Sequence, residues 1–166
     1  MRFAYERIDS PVGAILTVTS DEGLHAVDFH DYAGRMERLL REQYGEVELH
    51  EASGAWEMRA RLERYFARDF AAFDGVPLRT NGTPFQQAVW QRLLAIPPGT
   101  TTTYGAIARE LADVSASRAV GLANGSNPIA IVVPCHRVIG ANGKLTGYGG
   151  GLHRKEWLLR HEGVLL

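Results

Sequence analysis

The chain has 166 residues, is 45% hydrophobic and 22% charged, and carries a formal net charge of −1. That length suits one compact domain or two small lobes, and the apolar share excludes wholesale disorder. No apolar run approaches the ~20 residues of a membrane span, residues 1–6 lack a signal-peptide core, and one cysteine makes neither an internal disulfide nor a multi-cysteine zinc site. A soluble, cytoplasmic chain is expected.

Residues 1–80 read as a mixed α/β lobe. Runs at 3–8 and 13–19, separated by Asp9-Ser10-Pro11, predict a hairpin, and 24–29 a third strand. Helical spacing follows at 33–44 and at 55–70, where Trp56, Ala60, Leu62, Tyr65, Phe66 and Phe70 form an apolar face. His25, His30 and His50 lack ligand spacing, so this half reads as architectural. It is also acidic, with 10 Lys/Arg against 15 Asp/Glu, whereas residues 81–166 hold 8 against 4. Such a split fits two differently solvated surfaces or a polyanionic partner for the second half.

Residues 81–166 predict a mostly helical lobe beyond a junction at 75–83. Thr83 is placed to cap a helix with Pro84 in its first turn, running over 85–96 and stopped by Pro97-Pro98-Gly99. A second helix covers 104–111. After a break at 112–114, Ser115 is placed to cap a third, reaching Asn124, and the pair suggests a helix-turn-helix. Ala116, Ala119, Val120 and Ala123 are expected to face inward. The opposite face offers Arg118, Gly121, Leu122 and Gly125. That stripped surface fits close helix packing, or close approach to a nucleic-acid backbone in a minor groove only ~6 Å wide.

Ile129-Ala130-Ile131-Val132-Val133 predicts a buried extended segment ended by Pro134, with Cys135, His136 and Arg137 next. A lone cysteine is either a small buried hydrophobe or a nucleophile. Three features favour the second reading: emergence at the end of an apolar run, donors and positive charge alongside, and the Gly-rich stretch 140–151, which is either a loop over a pocket or a flexible lead into the last helix. A thiol with a pKa of about 8.5 needs a base, and the base needs an orienting acid. Glu162 is the candidate, closing a helix that starts at Leu152, a position the macrodipole disfavours for a carboxylate. No segment satisfies P-loop spacing.

Pro134-Cys135-His136-Arg137-Val138 resembles the active-site signature of O6-alkylguanine-DNA alkyltransferases, also called methylated-DNA–protein-cysteine methyltransferases. The resemblance extends in order through Phe85-Gln86-Gln87-Ala88-Val89-Trp90, Thr103-Tyr104-Gly105, Arg118-Ala119-Val120-Gly121, Asn127-Pro128, Gly147-Tyr148-Gly149-Gly150-Gly151, Lys155-Glu156-Trp157-Leu158-Leu159 and His161-Glu162-Gly163. It implies single-turnover transfer of an alkyl group from guanine O6 (or thymine O4) in double-stranded DNA to Cys135. The damaged base is flipped out, and no cofactor or metal is required. His136 becomes the general base acting through water, Glu162 its orienting group, and Asn127 the organiser of the turn beside the site. Tyr104 helps rotate the nucleotide and assists the leaving guanine. Arg118 fills the vacated stack, joined on the DNA side by Tyr104, Phe85, Gln86, Gly121 and Asn124. Backbone at Val138, Tyr148, Gly149 and Gly150 lines the base pocket. Gly149 stands where some members have serine, and Gly125 where some have a basic residue. A monomer is expected, with cooperative assembly on DNA left open. Two other readings of the same residues are a cysteine hydrolase with a Cys–His–Glu relay and a non-catalytic lesion-binding module.

Overall fold

Apolar–polar alternation at the start of the chain produces a meander. β1 (Arg2–Ile8) pairs antiparallel with β2 (Ile15–Ser20), setting Ile8 opposite Ile15, and β2 pairs antiparallel with β3 (Gly23–Phe29). Ser10 closes the predicted turn, its hydroxyl accepting from the Val12 N–H at 3.2 Å. In the computed structural model, which describes residues 1–166, the chain forms two compact units, Met1–Asn81 and Gly82–Leu166.

In the first unit α1 (Ala33–Tyr44) places Met36 and Leu40 against Phe3, Val18 and Ala26 to make the core. A fourth strand, β4 (Glu48–Glu51), lies parallel to β1 and completes the order β3-β2-β1-β4. The pattern reading contains no strand there. Glu-Leu-His-Glu has no buried face of its own, and backbone pairing to β1 defines it. At the other edge every residue of β3 is buried. Residues 77–79 cover it: the Leu24 N–H reaches the Pro77 carbonyl and the Arg79 N–H the Leu24 carbonyl, each at 2.9 Å.

The helix expected over 55–70 is shorter, α2 (Met58–Phe66). Trp56 and Glu57 sit at φ 51° and 55°, and Arg68 at φ 75°, so left-handed residues bracket it on both sides. The Trp56 indole N–H donates to the Ser20 carbonyl at 2.8 Å, holding the chain out of helical register before α2. Phe66, the last residue of α2, and Phe70 and Phe73 beyond it pack around the ring of Tyr65. Of the expected apolar face, Leu62 and Tyr65 are buried on α2, whereas Trp56 precedes the helix and Phe70 follows it in the ring cluster.

The second unit is mostly helical, with α3 (Pro84–Leu94), α4 (Tyr104–Leu111), α5 (Ser117–Gly125) and α6 (Leu152–His161). Thr83 caps α3 in a reciprocal capping box with Gln86. The Trp90 indole N–H donates to the Ala123 carbonyl at 2.8 Å, tying α3 to α5. The cap between α4 and α5 differs from expectation. Asp113, not Ser115, accepts from the Ser115 N–H at 2.7 Å, and one short helical turn, Val114–Ala116, precedes α5. Asp113 carries a full charge at that N-terminus, where it is favoured over a hydroxyl. A two-residue parallel ladder joins β5 (Thr102–Thr103) to β6 (Val138–Ile139).

Gly23 sits at φ 143°, and a Cβ there would lie 2.3 Å from the Pro77 carbonyl oxygen. Gly23→Ala is therefore expected to lower the stability of the first unit by about 2 kcal/mol, read from urea unfolding followed by circular dichroism. A midpoint equal to that of the parent would contradict this account of the β3 edge.

Candidate active site

The residues ahead of Cys135 are buried, as their composition predicts, but they are not extended. Residues 129–133 form a tight turn in which the Val133 N–H bonds the Ile129 carbonyl at 3.0 Å and Ile131 adopts φ 70°. Asn127 holds this turn. Its Oδ1 accepts from the Ile129 N–H at 3.0 Å, and its Nδ2 donates to the Val133 carbonyl at 2.8 Å. A buried side-chain amide thus supplies the pairing that a neighbouring strand would have given. Cys135 opens a short helical turn, Cys135–Arg137, rather than ending a strand, and is 7% exposed.

His136 and Arg137 both turn to Glu162. His136 Nε2 lies 2.8 Å from Glu162 Oε2, with both side chains fully buried. Arg137 donates Nε to Oε1 at 2.7 Å and its second terminal nitrogen to Oε2 at 2.9 Å, a bidentate fork. Its remaining terminal nitrogen reaches the Ile96 carbonyl at 2.6 Å, just past α3. Arg137 is thereby neutralised by a carboxylate and does not supply the free positive charge expected beside the thiol. Burial pushes the Glu162 carboxyl up, but the hydrogen bonds and charges of His136 and Arg137 outweigh it and hold the group well below the usual carboxylate range. Burial lowers the His136 pKa, against the opposing pull of Glu162. The neutral ring donates Nε2–H to the carboxylate, which leaves Nδ1 as an acceptor with no protein hydrogen bond.

A positive charge near the thiol comes from Lys155, which the pattern reading did not single out. It is fully buried on α6 and donates from Nζ to the Val138 carbonyl at 2.6 Å and the Thr146 carbonyl at 2.8 Å. Burial lowers its pKa to about 8, and the charge of Cys135 opposes that fall. A buried lysine with no carboxylate partner is a signal only once the fold is known, because a Lys on a terminal helix normally reads as a solvated face. Tyr104, directly after β5, donates its hydroxyl to the same Thr146 carbonyl at 3.3 Å. Burial raises its pKa and the charge of Cys135 adds to that, keeping the phenol protonated. The β5–β6 ladder brings Tyr104 and the Cys135 turn into one neighbourhood.

The other expected site residues are distributed as follows. Val138 is buried, its N–H bonded to the Cys135 carbonyl and its carbonyl to Lys155. Tyr148 is half-buried, Gly149 exposed, and Gly150 buried with its carbonyl accepting from Arg154 at 3.1 Å. On α5, Arg118 is exposed and Gly121 half-buried. Asn124 departs from the expected DNA-facing position: it is 4% exposed and turns inward, its Nδ2 3.4 Å from the Cys135 carbonyl. Val120 and Ala123 pack inward as expected, whereas Ala119 is exposed and Ala116 half-buried. The buried face of α5 is made by Val120, Ala123 and Asn124, so the inward stripe is turned from the expected one, with Asn124 in and Ala119 out. Phe85 is half-buried, and the Gln86 side chain accepts from the Thr83 N–H at 2.9 Å, so its oxygen is occupied in the capping box. No three His, Cys, Asp or Glu side chains converge to hold a metal ion.

The geometry sets a pH dependence. Glu162, depressed in the folded state, contributes stability above the ordinary carboxylate range that is lost as pH falls through its folded value. His136, also depressed, resists a proton that the unfolded chain accepts below about 6.5. Both make the protein less stable in acid. Glu162→Gln leaves Arg137 buried without its counter-ion and is expected to cost about 3 kcal/mol at pH 7, with a shallower further loss below about pH 4 than the parent shows. Urea unfolding at several pH values measures both, and a variant with the parent's stability at neutral pH would contradict the ionised Glu162.

Two family models cover nearly the whole chain. The 6-O-methylguanine DNA methyltransferase ribonuclease-like domain matches residues 3–80, and the DNA binding domain of the same family matches residues 84–164. A methylated-DNA–protein-cysteine methyltransferase of Salmonella typhimurium is 48% identical over 100% of this chain and 99% of its own length. One from Methanosarcina acetivorans is 50% identical over 96% and 97%. Among solved structures, Mycobacterium tuberculosis OGT in complex with DNA superposes with a TM-score of 0.77 at 43% identity, covering 98% of this chain and 92% of that one. The O6-methylguanine-DNA methyltransferase of Pyrococcus kodakaraensis gives 0.76 at 25% identity, covering 98% and 99%. With both halves matched and full-length relatives near 50% identity, the chain belongs to the 6-O-methylguanine DNA methyltransferase family.

Proposed function

We propose that this protein repairs DNA by taking the alkyl group of O6-alkylguanine in a duplex onto its own Cys135, once per molecule. The observation that carries this reading is the 2.8 Å hydrogen bond between His136 Nε2 and Glu162, next in chain to the only cysteine. It orients the imidazole so that Nδ1 is left to accept a proton. In this reading His136 takes the thiol proton through a bridging water, and Glu162 stabilises the imidazolium that forms. The sulfur attacks the alkyl carbon, a carbon–sulfur bond forms, and the carbon–O6 bond breaks with its electron pair going to guanine. Tyr104, kept protonated, donates to the leaving base, and the proton held by His136 restores the balance. The products are a thioether and normal guanine, so no turnover follows.

Residues 81–166 carry both DNA binding and transfer in this proposal, and residues 1–80 are architectural. The excess of Lys/Arg over Asp/Glu in the second half suits a polyanion. The side chains of α5 are small around Arg118, which lets the helix approach a minor groove while one guanidinium enters the stack. Flipping the damaged base costs a few kcal/mol, and Arg118 offsets part of that by occupying the gap. No helix is long and apolar enough to cross a membrane, and the proposed working site is the cytoplasm, where the chain meets DNA as a monomer.

Equimolar incubation with duplex DNA containing O6-methylguanine should add one methyl mass to the Cys135 peptide. Cys135→Ala should lose the adduct and still bind DNA. An unmodified peptide would reject the reading, and a transient adduct with continued turnover would favour a hydrolase. Arg118→Ala is expected to slow transfer from the duplex roughly ten-fold while slowing reaction with free benzylated guanine far less. Equal losses on both substrates would contradict the stack-filling role.

A further inference from the structure

Leu122 is 70% exposed in the middle of α5, a helix whose neighbouring positions carry little side chain. Little of the protein covers it, and the helix positions beside it are open: a Cβ built at Gly125 meets no atom within 4 Å, and one at Gly121 meets only Tyr104 Cδ1 at 3.9 Å. Leu122 stands one helical turn beyond Arg118. Arg118 and Leu122 therefore share one face of α5, a cation beside an apolar group, while Val114, 56% exposed, lies in the short turn ahead of the helix. A helix stripped for close approach gains nothing in water from a protruding leucine, and on a phosphate-lined surface an apolar group has partners only in the sugars and base edges of the groove.

We propose that Leu122 is a second wedge. Resting on the reading of α5 as the helix that enters the duplex, its side chain packs against the sugar and base-pair edge next to the gap that Arg118 fills. One helical turn is about 5.4 Å and one base step about 3.4 Å, so Leu122 falls between one and two steps from Arg118. Apolar side chains in the minor groove partly unstack a base step in this way. The wedge acts on eversion and not on the sulfur chemistry, so its effect scales with how firmly the target base is stacked and paired.

The test is the ratio of alkyl-transfer rates on O6-methylguanine in a fully paired duplex and in the same single strand, for the parent, Leu122→Ala and Leu122→Met. Leu122→Ala should lower the ratio roughly five-fold, the scale of losing part of one leucine's burial, and Leu122→Met should restore most of it. Because the side chain is mostly exposed in the free protein, Leu122→Ala should melt close to the parent's temperature. An unchanged ratio in Leu122→Ala overturns the wedge while leaving the proposed function intact. A parent that forms no Cys135 adduct on either strand overturns the function, and the wedge with it.

Discussion

One buried carboxylate organises the second unit. Glu162 closes α6, where the macrodipole opposes a negative charge, and it is shielded from water. Alone it would be strongly destabilising. It persists because Arg137 grips it with two hydrogen bonds while reaching on to the Ile96 carbonyl, and because His136 donates to the same oxygen. A single charge therefore ties the end of α3, the turn carrying Cys135 and the end of α6 together. The same contact sets the orientation of the imidazole, so in the proposed transfer stability and chemistry share one group.

Around that link, side chains hold backbone that regular pairing does not. Asn127 fastens the turn before Cys135, Lys155 joins Val138 to the Gly-rich loop through two carbonyls, and Tyr104 reaches the loop at Thr146. Each of these is a bond from a polar side chain to main chain; those of Asn127 and of Lys155 to Val138 are buried, where such bonds hold geometry most firmly, and the two to Thr146 lie nearer the surface. The loop glycines permit the path, and the lysine and tyrosine hold it there. Reactive geometry in this protein rests on irregular backbone held by three side chains, with the helices serving as walls.

What could be read from residues alone follows from how local each signal is. Helices α1 and α4 were legible because their ends carry turn residues and their apolar spacing is regular. The Thr83–Pro84–Gln86 start of α3 was legible because a capping box is a four-residue pattern. β4 was not, since its stability comes from pairing with β1 across more than forty residues. The segment 129–133 has the composition of a buried strand, and the Asn127 side chain, bonded two and six residues ahead, turns it into a loop, which apolar composition does not reveal. The pairing of His136 with Glu162 was legible as a chemical need and a resemblance, while the capture of Arg137 by the same carboxylate was not, because composition shows a charge and not its partner. Asn124 was misplaced for a similar reason: its direction depends on which face of α5 packs inward, and its bond to the Cys135 carbonyl spans eleven residues.

The most direct test of this arrangement is the protonation state of the His136 ring, followed by nitrogen magnetic resonance on protein labelled at histidine. The account predicts a neutral imidazole at pH 7, with its hydrogen on Nε2 and Nδ1 bare. A doubly protonated ring at neutral pH, or a hydrogen resident on Nδ1, would contradict it.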